Sequence, residues 1–302
     1  MKYKVENEQI LIESEQDFNP MHILECGQVF RFKKVGGNYQ VYSLNKSALI
    51  VDVTSEHISK KTLNSTKKYY KIITNDVDYF VNYFDLKTNY NVIKNELLSI
   101  KNTKQLLTKA IDFGFGIRIL NQDCFEAIIS FIISQNNNIK RIQQIIEKIC
   151  EKYGTNMGVY FAFPTPNQLE NATVSELEKL GVGYRASYII NAVKIFGKMN
   201  FDNFKQKSIQ EMEKELLGVT GIGQKVCDCI MLFGFHKLNY FPVDTWIEKV
   251  YTEYFAKDFK EQDEKLNKKI DRKIMRSRFV DIFGGNSGYA QQYLFYYQRS
   301  NR

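Results

Sequence analysis

LLGVTGIGQKVCDCIMLFGFHKLNYFPVDTW, residues 216–246, is the stretch on which the reading of the fold turns. A helix is predicted to end near Gly218, the turn VTGIG follows at residues 219–223, and a new helix begins at about Gln224. Gly221 and Gly223 permit backbone angles and close approaches that a side chain would block. The exposed N–H groups of such a turn, with the N-terminus of the next helix, suit a phosphate without reading any base. A purely structural corner with glycine caps fits the same residues, so the turn alone decides nothing.

The neighbours of the turn carry more. Lys225 falls in the first turn of the new helix, where the positive end of the helix dipole disfavours a second positive charge and pushes the ammonium toward its neutral form. A neutral amine is a nucleophile, and lysines of this kind form Schiff bases. Asp244, 19 residues later, follows Pro242-Val243 and precedes a helical segment, the position of an N-cap that stays ionised. Each could be structural alone. Together, a lysine and an aspartate at two helix starts, joined by one helix and a return loop, place an amine and a carboxylate on one cleft.

Working outward, residues 1 to about 54 read as a β-meander: QILIES alternates, VFRF alternates over 29–32, Gly36-Gly37 supplies a turn, and YQVYS and ALIVDV follow. Residues 55–75 are ambiguous, DVDYFVNYF turns helical from about residue 76, and beyond 105 everything reads as helix. Asp123 and Glu126 have capping-box spacing before a helix with Phe125, Ile128, Ile129, Ile132 and Ile133 on one face, which stops at SQNNN, 134–138. A second helix buries Ile139, Ile142, Ile145, Ile146 and Ile149, and further helices fit 167–180, 185–197, 208–217, 224–234, 245–256, 262–283 and 287–299. The class is therefore α+β: a β-rich N-terminal domain, residues 1–105, and an all-helical region, 106–302, that carries a helix–hairpin–helix motif.

Composition bounds the function. With 302 residues, 44% hydrophobic and 25% charged, and only four prolines, long disorder and collagen-like repeats are excluded. No apolar run approaches a bilayer span and the start MKYKVENEQ is polar, so a soluble, intracellular protein without a targeting signal is expected, in the cytoplasm or nucleoid if the source is bacterial. Lys and Arg number 42 against 34 Asp and Glu, a net +8 that suits an anionic partner, most commonly nucleic acid. Residues 257–302 supply +5 of it, with 11 basic and 6 acidic side chains. The five cysteines, 26, 124, 150, 227 and 229, include no CxxC pair, and neither a disulfide framework nor a metal site is expected.

GIGQK followed by PVD resembles the helix–hairpin–helix (HhH-GPD) DNA glycosylase superfamily, and within it the sequence most resembles the 8-oxoguanine DNA glycosylase/AP lyases. The likeness runs through CGQVFRF (26–32), SQNNNIKRI (134–142), GVGYRA (181–186), the hairpin with PVD, and YAQQYLF (289–295), five motifs in the family's order. It implies an N-terminal antiparallel sheet like one repeat of the TATA-binding protein. It implies Lys225 as nucleophile and Schiff-base residue, with Asp244 stabilising positive charge at the sugar and helping to activate the amine. Gly27 would offer its carbonyl to the N7–H that 8-oxoguanine has and guanine lacks, Gln291 would read the Watson–Crick edge, and Phe295 and Cys229 would cover the two faces of the flipped base. Asn136 would fill the gap in the duplex, Tyr184 would wedge the stack, and Arg141 and Arg185 would read the orphaned cytosine. Each has a plainer reading. Gly27 fits a turn before a strand, Cys229 an inert core residue or, beside an ammonium, a thiolate, and Phe295 a core aromatic.

The resemblance implies an enzyme that flips 8-oxoguanine out of duplex DNA, excises it through a lysine imine and nicks the strand by β-elimination, in base excision repair, acting as a monomer away from membranes. No metal or organic cofactor is required, though the hairpin carbonyls could take a monovalent cation. No cysteine follows Cys229, which argues against the iron–sulfur loop of some relatives. Where many relatives have a phosphate-binding histidine two residues after the aspartate, this chain has Trp246, its one tryptophan. The rivals are an alkylated-base glycosylase, which typically lacks the hairpin lysine, and a non-catalytic DNA-binding protein, which leaves Asp244 and Gln291 unexplained.

Overall fold

Alternation in QILIES, NYQVYS and KSALIVD turns every second side chain to one face, and the computed structural model, which describes residues 1–57, 67–266 and 270–301, closes these segments into a single sheet. Its strands are β1 (Lys2–Glu6), β2 (Gln9–Ser14), β3 (Phe32–Val35), β4 (Asn38–Ser43), β5 (Lys46–Asp52) and β6 (Lys68–Ile73). All neighbours are antiparallel, in the order β1-β2-β6-β5-β4-β3. Ile72 of β6 lies opposite both Ile10 and Ile50, and Val41 opposite Ala48, all buried. The apolar face so formed packs on Phe18, on α1 (Pro20–Leu24) through Ile23 and Leu24, and, past the short α2 (Thr54–His57), on Phe80, Tyr83 and Phe84 at α3 (Val77–Tyr83).

Two expectations for this half change. VFRF is not a strand: pairing begins at Phe32. Its alternation is real but has another cause, because Val29 enters the sheet core and Phe30 the helical core. Helix α1 interrupts the expected meander, started by Asn19, whose side chain accepts from the N–H groups of Met21 and His22, with Pro20 at the first helical position. Part of the ambiguous 55–75 stretch resolves as β6, while residues 58–66 lie outside the described ones.

The second core gathers helices from α4 (Tyr90–Ser99) onward: α5 (Lys104–Phe113), α6 (Cys124–Ser134), α7 (Ile139–Tyr153), α8 (Pro166–Leu169), α9 (Val174–Lys179), α10 (Arg185–Phe196), α11 (Phe201–Lys205), α12 (Ile209–Leu217), α13 (Gln224–Cys229), α14 (Thr245–Val250) and, after α15 (Lys260–Leu266), which adds no described residue to it, α16 (Arg272–Phe283) and α17 (Ser287–Ser300). Helices α13 and α14 each run on into a π-turn, Ile230–Gly234 and Tyr251–Phe255. The single helix expected over 167–180 is two, because Thr173 starts a new one with its own capping box to Glu176. The helix expected over 262–283 falls partly on residues 267–269, outside the described ones, and α16 has its own cap, Asp271. Among the described residues, no helix is long and apolar enough to cross a membrane.

The cores are joined by buried polar groups. Glu126, expected to complete a capping box, instead accepts the Leu44 N–H at 2.8 Å, while Asp123 alone caps α6. Leu44 sits at φ +55° in the β4–β5 turn, and its carbonyl accepts the Phe163 N–H at 3.0 Å. Arg118, fully buried, donates to the carbonyls of Phe84, Asp17 and Thr88 at 2.9–3.0 Å and lies 4.0 Å from the Tyr90 ring centroid. A buried guanidinium is tolerable only with its donors met and its charge shared this way.

Candidate active site

A cleft of about 1070 Å³ opens between the hairpin, the segments entering α7 and α14, and the end of α17. Gly27, Asn136, Gly223, Lys225, Asp244 and Phe295 all line it, so residues spread over 269 positions of sequence meet in one place.

The hairpin is built as its glycines suggest, but only one of them is sterically compelled. Gly221 has φ +96°, and a Cβ there would lie 2.3 Å from Cγ of Tyr188. Gly223, with φ −86°, is the N-cap of α13, and a Cβ there would meet nothing within 4 Å. Of the two freedoms expected of these glycines, the unusual backbone angle is needed only at 221; Gly223 leaves open space on the cleft side.

Lys225 is the second residue of α13, half-buried, with Nζ 5.8 Å from the Phe131 ring centroid. Asp244 caps α14, accepting from the N–H groups of Trp246 and Ile247 at 3.0 Å each. Both bonds fall on Oδ1, which leaves Oδ2 without a hydrogen bond among the described residues. Cys229, one turn after Lys225, feels the charges of both Lys225 and Asp244, which places amine and carboxylate around one point. Burial pushes its thiol up to about 11 against the opposing Lys225 charge. It is therefore a neutral buried thiol, not a thiolate, and it lies behind the cleft wall rather than on it.

The back of α13 is held by a polar cluster that sequence spacing does not reveal. Asp228, 1% exposed, takes Arg276 Nε on both oxygens at 2.8–2.9 Å and Gln224 Nε2 at 3.0 Å. Gln224 also donates to Glu213 at 2.8 Å, as does Tyr240 at 3.0 Å. Burial raises the Asp228 carboxyl to about 6 despite Arg276. The cluster fixes the rotation of the helix that presents Lys225.

The opposite wall is the turn at Gly27, φ +89°, where a Cβ would meet Arg299 Nη1 at 2.8 Å and the Phe295 ring at 3.1 Å. Gln28 anchors this turn: its Nε2 donates to the carbonyls of Ile23 and Arg118 at 2.9 and 2.7 Å, and its Oε1 accepts the Leu120 N–H at 2.9 Å. Gln292 donates to the Cys26 carbonyl at 2.8 Å. In CGQ the glycine lines the cleft and Gln28 secures the backbone; in AQQ Gln292 secures the backbone, and Gln291 is buried and does not line the cleft. Gln291 is 4% exposed, its Nε2 3.4 Å from the Pro242 carbonyl, and its Oε1 is buried without a partner among the described residues.

Of the other predicted residues, Asn136 lines the cleft, whereas Arg141, Tyr184 and Arg185 do not. Asn136 is exposed in the left-handed region, φ 45°, at the tip of the loop between α6 and α7. Arg141 is exposed and reaches the Gly181 carbonyl at 3.4 Å. Tyr184 is 53% exposed. Arg185, by contrast, is buried and donates to the carbonyls of Gln135, Asn136 and Val182. Most of its donors are thus engaged by the loop that carries Asn136. Trp246 lines the cleft with Lys249 Nζ 4.7 Å from its ring. From the basic C-terminal stretch, Arg272, Lys273, Arg276 and Arg299 also line it. Among the described residues, no group of three or more His, Cys, Asp or Glu is placed to hold a metal.

Residues 10–128 match the family described as "8-oxoguanine DNA glycosylase, N-terminal domain", and residues 129–276 the family described as "HhH-GPD superfamily base excision DNA repair protein". The N-glycosylase/DNA lyase of Saccharomyces cerevisiae is 34% identical over 211 residues, 60% of this chain and 56% of its own length. A probable N-glycosylase/DNA lyase of Methanothermobacter thermautotrophicus is 31% identical over 55% of this chain and 59% of its own. The chain thus spans about half the length of the curated relatives it matches. Among solved structures, the Clostridium acetobutylicum 8-oxoguanine glycosylase/lyase in complex with double-stranded DNA containing cytosine opposite 8-oxoguanine superposes with TM-score 0.84 at 33% identity, over 100% of this chain and 98% of that one. The 3-methyladenine DNA glycosylase of Archaeoglobus fulgidus, 18% identical with TM-score 0.70, shares the fold.

Proposed function

Given that the chain belongs to the HhH-GPD superfamily of base excision DNA repair proteins and carries the N-terminal domain of the 8-oxoguanine DNA glycosylases, we propose that it is a bifunctional glycosylase/AP lyase excising 8-oxoguanine from duplex DNA, opposite cytosine. The observation that carries this reading is the pairing of Lys225 and Asp244 at two helix starts on one cleft whose far wall is Gly27 and Phe295.

The chemistry follows from the positions. A base inside a duplex must be extruded before its glycosidic bond is reachable, at a cost of a few kcal/mol. The Lys225 amine attacks C1′, the C1′–N9 bond breaks and the base leaves with its electron pair, taking up a proton. Asp244, with Oδ2 free of backbone bonds, stabilises the positive charge that grows at the sugar and accepts a proton from the attacking amine. Ring opening yields an imine at C1′. Loss of a proton from C2′ then expels the 3′ phosphate and nicks the strand.

Recognition is assigned by residue. The Gly27 carbonyl accepts N7–H, Phe295 stacks on the base, and Gln291, whose Oε1 has no protein partner among the described residues, reads the base edge. Cys229 backs the pocket as a neutral thiol. Asn136 and Tyr184 enter the duplex. Arg141 reads the cytosine, joined by Arg185 once its bonds to the 135–136 backbone rearrange. The turn at Gly221 and Gly223 and the N-terminus of α13 bind phosphate, and Trp246 takes a sugar-packing role in place of a phosphate-binding histidine. Duplex DNA carrying the lesion is the partner, bound by a monomer.

Borohydride reduction during reaction with duplex DNA containing 8-oxoguanine opposite cytosine tests the lyase claim. A covalent protein–DNA complex is expected from the native protein and none from Lys225→Gln. No complex from folded native protein, or an undiminished one from the variant, overturns it.

A further inference from the structure

Arg299 is outside every motif so far assigned, yet it stands in the proposed base pocket. Its Nη2 donates to the carbonyl of Glu25, the residue two before Gly27. Its Cζ lies 5.2 Å from the Phe295 ring centroid, one helical turn back along α17. Its Nη1 is 2.8 Å from where a Cβ on Gly27 would sit, so the guanidinium packs directly on the glycine backbone. That nitrogen is buried and has no hydrogen-bond partner among the described residues.

Two consequences follow. One guanidinium spans the two elements of the pocket wall, the Gly27 turn and the Phe295 ring, and so sets their separation. It also leaves a buried, charged N–H unmet, an arrangement that costs free energy until an acceptor arrives. Arg299 lines the cleft, though Nη1 itself is covered, so an acceptor reaches it only as the base seats against this wall. An oxidised purine offers carbonyl oxygens on either side of N7, the atom assigned to the Gly27 carbonyl. A lysine would supply charge there but not a planar group able to cover the ring and clamp the backbone at once.

Resting on the glycosylase reading, we propose that Arg299 is a specificity-determining residue of the base pocket: it holds Gly27 against Phe295 and donates from Nη1 to a carbonyl oxygen of the extruded base. An abasic site has no base to receive that bond. The discriminating measurement is therefore the ratio of single-turnover 8-oxoguanine excision to cleavage of a preformed abasic site, for the native protein, Arg299→Met and Arg299→Lys, with thermal unfolding of each recorded. The ratio is expected to fall about ten- to a hundredfold in Arg299→Met, as for loss of a charge-assisted hydrogen bond, and less in Arg299→Lys. An unchanged ratio, whether both rates hold or both fall together, overturns the role of Arg299. A native protein that cleaves abasic sites but never releases 8-oxoguanine overturns the substrate reading itself, and the Arg299 proposal with it.

Discussion

Gln135 Nε2 donates to the Gly221 carbonyl at 2.9 Å, tying the loop that ends α6 to the turn of the hairpin. The same loop is gripped from the other side by Arg185, through the carbonyls of Gln135 and Asn136. The loop that carries the residue proposed to fill the duplex gap is thus tied by Gln135 to the turn proposed to hold phosphate. Gln135→Ala is expected to cost about 1 kcal/mol of stability, as for one partly buried hydrogen bond. Excision of 8-oxoguanine is expected to fall by more than the lost folded fraction explains. Urea unfolding beside single-turnover kinetics checks this, and a rate tracking folded fraction alone refutes it.

The two hairpin glycines should separate in the same assays. Gly221→Ala forces a Cβ onto the root of the Tyr188 side chain in a left-handed conformation, and a loss of about 3 kcal/mol or more is expected. Gly223→Ala meets open space at an ordinary φ, so its stability should change by less than about 1 kcal/mol. Its methyl group projects where a phosphate would approach, and duplex affinity should drop. Equal melting temperatures for the two variants would contradict the geometry.

These contrasts show what a linear reading can and cannot supply. Lys225 and Asp244 were legible because a helix start is a local event: a turn, a cap and a charge within a few residues. The strands β2, β4 and β5 were legible for the same reason. VFRF misled because alternation reports two environments without saying which, and here they are two cores. Arg299 and the Asp228–Arg276 pair were invisible, since their partners lie 274 and 48 positions away and nothing local marks them; Gln28 was seen in CGQVFRF, but not that it reaches Arg118, 90 positions on. Arg185 was legible as a residue of interest, but not that its guanidinium already serves backbone carbonyls.

Asp244 is both a cap and a proposed charge stabiliser, and one substitution divides the roles. Asparagine caps helices about as well as aspartate, so Asp244→Asn should keep both bonds to the N–H groups of Trp246 and Ile247 and melt close to the native protein. Without the negative charge, excision should slow by about a hundredfold or more. Asp244→Ala should lose stability as well, by about 1 kcal/mol. A fully active Asp244→Asn would reduce Asp244 to a structural residue.

Glu126, away from the cleft lining, gives the fold a pH signature. Burial pushes its carboxyl up to about 7, opposed by the Arg31 charge and the Leu44 N–H, with Asp123 and Glu147 adding to the rise. Because the folded value lies above the ordinary 4.5, this group's contribution is fully present below pH 4.5 and is lost as pH rises through 7. The full displacement corresponds to about 3 kcal/mol between those limits. Glu126→Gln keeps an acceptor for Leu44 and removes the titration. The stability of the native protein relative to this variant should therefore decline between pH 5 and pH 8, approaching that figure. Denaturant unfolding of both proteins across this range measures it, and a difference independent of pH would show that Glu126 keeps the same charge state folded and unfolded.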